Sequence, residues 1–267
     1  MESKILCQNW RRALERWAIP DGILSLAVDS PWKLSPDRFA PSESRAGSPT
    51  VLKIREMLEW SKEPGTRSVL DVGCGAGGVS LLVLSDLESL IAVDSSPEML
   101  ESFKSHFDEF DNINVNLRLV QGSWVSVADE VGRAGVVVCA NVLYNVPDPC
   151  EFIIKLDNAA MTGVVLEIHE SHPHSVASAA WKHFWNLDRP VEPTGGQLLE
   201  IVESLGLAPG SLKFRMDNYL EPPANRELVQ SMRRRLCLDP SRDDELEQFL
   251  ANHPIEQPVS RLIWWMK

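Results

Sequence analysis

The residues with the clearest chemical signature are the glycines of Val69-Leu70-Asp71-Val72-Gly73-Cys74-Gly75-Ala76-Gly77-Gly78. An apolar run leads into them and helical periodicity follows, so they occupy a strand-to-helix turn. A side-chain-free backbone turns tightly and lets a ligand come close, while the next helix offers unpaired N–H groups. Asp94 lies at the end of the next apolar run, with the spacing at which a carboxylate accepts hydrogen bonds from both hydroxyls of a ribose. Turn and carboxylate together point to a ligand containing a nucleoside.

A second group, Glu167, His169, Glu170, His172 and His174, lies at and just beyond the end of the fifth apolar run. His169 or His172 there could act as a general base, and Tyr144, after the fourth run, could line a pocket. The H-x-x-H-x-H string lacks a partner Cys or acid at zinc spacing, so no metal is expected. Exposed loop histidines are the plainer reading of the same string. Trp181, His183, Phe184, Trp185 and Arg189 could face a cation or a planar acceptor, or simply pack on the sheet edge. The basic run Met232-Arg233-Arg234-Arg235 suits a solvated helix face paired with Asp239, Asp243 and Asp244, or a grip on an acidic acceptor.

The spacing Gly73-x-Gly75-x-x-Gly78 satisfies the dinucleotide fingerprint of nicotinamide and flavin enzymes. With Asp71 ahead of it, the same stretch resembles the first motif of class I S-adenosylmethionine (SAM)-dependent methyltransferases. Val93-Asp94-Ser95-Ser96-Pro97-Glu98-Met99-Leu100 resembles their second motif, in which the acid holds the ribose and Met99 packs near the adenine. Gln121-Gly122-Ser123-Trp124 stands at the third, with Ser123 replacing an acid and leaving adenine recognition to backbone groups and Trp124. Val137-Val138-Cys139-Ala140-Asn141-Val142-Leu143-Tyr144 resembles the fourth, beside the methionine moiety, with Gly135 where an acid often begins the strand. The resemblance covers roughly residues 50–170. It implies SAM as cofactor, S-adenosylhomocysteine (SAH) as product, and Asp71, Gly73, Gly75, Gly77, Asp94, Ser95, Met99, Ser123, Trp124 and Asn141 as the residues that bind it.

These residues require a particular scaffold. Apolar runs at 68–72, 89–93, 114–120, 136–140 and 163–168 read as strands covered on both faces. Helices are expected between them at 78–86, 97–110, 125–131 and 149–160, which gives a doubly wound α/β sheet. A helix at 196–205 and strands at 212–216 and 259–266 complete a mostly parallel seven-stranded sheet of Rossmann-like methyltransferase type. In the last strand, Trp264 and Trp265 should point to opposite faces. Residues 1–50 are expected to form an N-terminal lid segment, with an amphipathic helix at 4–17 followed by ordered loop. Residues 51–267 would form the SAM-binding domain, beginning with a helix from Pro49 to about Trp60. Additions at about 169–195 and 224–252 supply a further lid and a helical insert.

Composition narrows the function classes. A net charge of −12 and a pI near 5.0 argue against a nucleic-acid partner. The Asn-Pro-Pro-Tyr motif of DNA and protein amide methylases is missing after the fourth strand. The five cysteines contain no C-x-x-C pair, so reduced thiols in a cytoplasmic protein are expected. No leader pattern and no membrane-length apolar run are present. The expected function is methyl transfer from SAM to a small-molecule oxygen, nitrogen or carbon nucleophile. A nicotinamide-dependent oxidoreductase and a non-enzymatic SAM-binding protein remain as alternatives.

Overall fold

The computed structural model describes residues 2–33, 35–60, 63–111, 114–215 and 225–267. Seven strands form one sheet: β1 Ser68–Val72, β2 Ser89–Asp94, β3 Asn116–Gln121, β4 Ala134–Ala140, β5 Ala160–His169, β6 Gly210–Arg215 and β7 Val259–Met266. Their order is β3-β2-β1-β4-β5-β7-β6. The first five are mutually parallel, whereas β7 is antiparallel to both β5 and β6. Chain reversal beside β1 puts the ends of β1, β2 and β4 at one edge, where such sheets hold ligands.

Helices α1 Glu2–Glu15, α2 Asp21–Leu24, α3 Glu43–Ala46 and α4 Pro49–Trp60 precede the sheet. Within it come α5 Pro97–Asp108, α6 Trp124–Val131, α7 Pro149–Ala159, α8 Ser178–Trp185, α9 Gly195–Ser204, α10 Asn225–Arg235 and α11 Asp243–Asn252. One face of the sheet carries α1, α6, α7 and α9 around Leu70, Val137, Val164 and Ile263. The other carries α4 and α5 around Val69, Val136, Val138 and Leu262. The period-two alternation of the strands produces this two-sided core, and β1 and β4 are buried almost end to end. Trp265 enters the first core and Trp264 packs on the second, as alternation requires.

Several expectations change. The stretch after the glycine turn, expected as an α-helix, is a 3-10 helix over Ser80–Asp86. Helix α1 begins earlier and ends at Glu15. Within 20–50, α2, α3 and a 3-10 turn at Pro36–Phe39 interrupt the loop. Met216 and residue 224, at the edges of the expected sixth strand and insert, lie outside the described residues.

The two additions build a third core, in which Trp181 and Phe184 of α8 meet Val229, Met232 and Leu236 of α10 and Leu246 of α11. Trp185 also turns to this cluster, donating its indole N–H to Leu236 O at 2.7 Å. The tryptophans therefore pack on the insert, not on the sheet edge. In the basic run Met232 is buried and Arg233 pairs with Asp243 at 3.3 Å.

Cys7 of α1 and Cys150 of α7 form a disulfide with Cα atoms 6.1 Å apart, which overturns the expectation of wholly reduced thiols. Their separation of 143 residues hid the pairing, because only the sheet brings α1 onto α7. Cys74, Cys139 and Cys237 are free and buried. Among the described residues no helix is long and apolar enough to cross a membrane.

Candidate active site

Gly73, Gly75 and Gly77 lie at φ of +71°, +53° and +92°, in left-handed backbone that disfavours side chains. Gly73 and Cys74 donate their N–H groups to Val93 O at 2.8 and 3.1 Å, which folds the turn against the end of β2. Asp94 completes the pairing, with Gly75 N–H donating to its Oδ2 at 3.0 Å and Ser96 N–H to its Oδ1 at 2.9 Å. Each carboxylate oxygen thus takes one donor and keeps capacity for another. Ser95 is exposed beside it, and buried Met99 lies in the first turn of α5, donating its N–H to the capping Ser96 Oγ.

Asp71 sits beneath the turn, 2% exposed, and accepts from Ser80 Oγ at 2.6 Å. Burial raises its carboxyl to about 6, the Ser80 hydrogen bond opposing the rise and the nearby Asp94 charge adding to it.

At the end of β4, Asn141 adopts φ of +60°, which asparagine tolerates better than most residues. Its backbone N–H donates to Glu167 O at 2.7 Å and its Nδ2 to Glu167 Oε1 at 3.2 Å, while its Oδ1 is buried with no hydrogen-bond partner among the described residues. Glu167, 1% exposed near the end of β5, also accepts from Arg45 Nη2 at 2.9 Å on both oxygens and from Thr50 Oγ1 at 2.5 Å. Burial alone would raise this carboxyl, but the Arg45 charge and the three donors outweigh it and hold it below the usual range.

The histidines expected in a surface loop are drawn inward. His169 and His172 are buried and His174 is half-buried. His169 Nδ1 lies 3.2 Å from Ser260 Oγ, and burial keeps its pKa low. His172 stacks on Trp17 with centroids 4.0 Å apart and meets the Tyr144 ring edge-on at 5.0 Å. His172 Nδ1 accepts from His174 N–H at 3.2 Å, which puts the ring proton on Nε2. Burial, with the His174 and Arg189 charges, depresses His172 to about 3. Tyr144 donates its hydroxyl to His169 O at 2.7 Å. Glu170, by contrast, turns away to Arg261 and Lys213.

Trp124 departs from its expected place beside an adenine. As the first residue of α6 it points into the sheet core, 4% exposed, with its indole N–H donating to Phe152 O at 3.3 Å. Ser123, exposed at the same helix start, bonds Ser126 Oγ at 2.8 Å. Gly135 is explained by contact: a Cβ there would lie 1.9 Å from Thr66 O, so an acid cannot begin this strand.

Sequence reasoning missed Phe39, Arg45 and Thr50, for which no motif gives a signal. A Cβ on Gly75 would lie 3.1 Å from Phe39 Cβ, and one on Gly78 would lie 2.7 Å from Phe39 O. Residues 36–50 therefore form a strap from the glycine turn to Glu167.

The sheet now decides between the two fingerprints. A dinucleotide-binding sheet runs 3-2-1-4-5-6, whereas here β7 inserts antiparallel between β5 and β6. Residues 69–158 match a family model described as a methyltransferase domain. Over these residues, which include the glycine turn, Asp94 and Asn141, the chain carries a methyltransferase domain. The domain is similar to the ubiquinone biosynthesis O-methyltransferase of Xanthomonas axonopodis pv. citri, 34% identical over 98 residues, or 37% of this chain and 40% of that protein. It is also similar to nodulation protein S of Bradyrhizobium diazoefficiens, 27% identical over 138 residues, or 50% of this chain and 57% of that one. The matches thus span less than two thirds of these curated relatives. Over both whole chains, the fold resembles the SAH-bound magnesium protoporphyrin IX methyltransferase of Synechocystis, with a TM-score of 0.55 and 13% identity.

Proposed function

We propose that this protein transfers a methyl group from SAM to a small-molecule nucleophile, with residues 1–50 and 169–195 closing over the acceptor. One observation carries the reading: the 3.0 Å hydrogen bond from Gly75 N–H to Asp94 Oδ2 brings the glycine turn and the carboxylate together. The residues present fit the cofactor. Asp94 retains acceptor capacity for ribose hydroxyls, and the partnerless Asn141 Oδ1 suits the ammonium of a methionine moiety. Met99 in the first turn of α5 and Ser123 at the N-terminus of α6 lie at this edge, beside Ser95. The name of the Xanthomonas relative supports a small-molecule acceptor.

Bound SAM would supply an already activated methyl group, so the protein's work is alignment and exclusion of water. Asp94 and the turn set the nucleoside end, and Asn141, held by Glu167, sets the other. His169 at the end of β5, His172 just past it and Tyr144 after β4 are the groups this reading assigns to the acceptor side. Burial keeps His169 neutral near pH 7, the state a general base needs. His172, with its proton on Nε2, is better suited to donate a hydrogen bond.

The test is calorimetry with SAM, SAH, NAD and NADP on the wild type and Asp94→Ala. SAM and SAH should bind, and the substitution should weaken both by about 1–3 kcal/mol through the lost ribose hydrogen bonds. Binding of NAD alone would refute the assignment, and unchanged SAM affinity in Asp94→Ala would refute the ribose role. Tight SAM binding with no methyl transfer to any acceptor in a broad metabolite extract would instead indicate a non-enzymatic binding protein.

A further inference from the structure

The histidine cluster has an accessible rim that cofactor binding leaves unexplained. Trp32, 47% exposed, meets His174 edge-on with centroids 5.4 Å apart. His174 in turn stacks on His172 at 5.4 Å, and His172 on Trp17, so aromatic faces continue from the surface to the floor of the site. Arg38, next to Phe39, is near enough for its charge to act on His174 and His169. It is exposed, and among the described residues its side chain makes no hydrogen bond or ion pair. Its neighbour Phe39 rests on Gly75 and Gly78, so Arg38 stands one residue from the cofactor turn.

The local charge is unusual for an acidic chain. The charges acting on His174 are Arg235, Arg189 and Arg38, all positive, and Arg38 also acts on His169. The overall net charge is −12, yet the charges of three guanidinium groups act on His174. Arg189 is already engaged, donating to Trp17 O and Ala18 O and lying over the Trp17 and Trp181 rings. Arg38 is left to meet something from solution. A guanidinium matches a carboxylate in shape and charge, and the adjoining rings match a planar body.

We infer that Arg38, with His174 and Trp32, forms the recognition end of the acceptor site and selects planar acceptors that carry a carboxylate. This rests on the methyl-transfer reading, because it treats the cluster beside the glycine turn as the acceptor side. Arg38 is a specificity residue and takes no part in the chemistry.

The experiment follows tryptophan fluorescence and calorimetry of the full chain, with and without SAH. The probes are 4-hydroxybenzoate, 3,4-dihydroxybenzoate and indole-3-acetate, each against its methyl ester. At least one acid should bind about 10-fold or more tightly than its ester, the scale of a hydrogen bond to a charged group. Arg38→Ala should erase that preference and Arg38→Lys should keep part of it, with SAH affinity unchanged in both. Trp32→Ala should weaken acid and ester alike. SAH binding with no acid preferred over its ester overturns the inference and leaves the methyltransferase reading intact, as does an acid preference that survives Arg38→Ala. Failure of SAH to bind, with the acid preference present, overturns the methyltransferase reading instead.

Discussion

At the scale of single residues, the site is built from groups that are costly where they stand. A methyl group on Gly73 would lie 2.2 Å from Val142 Cγ2, in backbone at φ of +71°. Gly73→Ala should therefore destabilise the protein by about 1–3 kcal/mol and abolish SAM binding. Gly132→Ala is the control: its φ is +93° but nothing lies within 4 Å, so only the backbone cost applies. Denaturation curves for the two variants separate the effects, and equal losses would exclude a role for the Val142 contact. Asp71 gives a pH signature. Its carboxyl is raised from 3.8 to about 6 in the fold, so its stabilising contribution is complete below pH 3.8 and is lost as pH rises through about 6. At neutral pH the buried charge costs about 3 kcal/mol. Asp71→Asn should be more stable than the wild type at pH 8 and no more stable at pH 4. A gain of equal size at both would contradict burial as the cause.

At the scale of elements, the strap matters most. Arg45 beside α4 and Glu167 in β5 are 122 residues apart in sequence, yet they form an ion pair in which Glu167's side chain has no exposure. Removing one partner leaves the other buried and uncompensated. Glu167→Ala should cost about 3–5 kcal/mol and free the strap, raising proteolytic sensitivity around residues 36–47. The pH sign is opposite to that of Asp71. Glu167's folded pKa is lowered below 4.5, so its contribution is present above that value and disappears as pH falls through the lowered one. Glu167→Gln should lose less stability than the wild type on acidification, and parallel acid profiles would remove this pair from the account.

At the scale of the whole molecule, the Cys7–Cys150 bond fastens the first helix to the core on one face of the sheet. The far end of that helical segment supplies Trp17, which stacks on His172. Closing a loop of 143 residues restricts the unfolded chain, and breaking it should lower stability by about 2–5 kcal/mol. Reductant should therefore lower the melting temperature of the wild type and leave Cys7→Ser unaffected. A wild type insensitive to reductant would show that the tether contributes nothing.

The sequence by itself determined the doubly wound sheet, the glycine turn and its carboxylate partner, because each is encoded over a few neighbouring residues. Apolar runs mark strands buried on both faces, and Asp94 falls at the end of the strand next to the turn. Tertiary structure alone decided the rest. Whether β7 runs antiparallel between β5 and β6 depends on long-range pairing and not on its own pattern. Likewise, the burial of His172, the inward turn of Trp124, the Arg45–Glu167 pair and the disulfide join residues far apart in the chain. Local periodicity states which face of an element is apolar; only packing determines which distant segment that face meets.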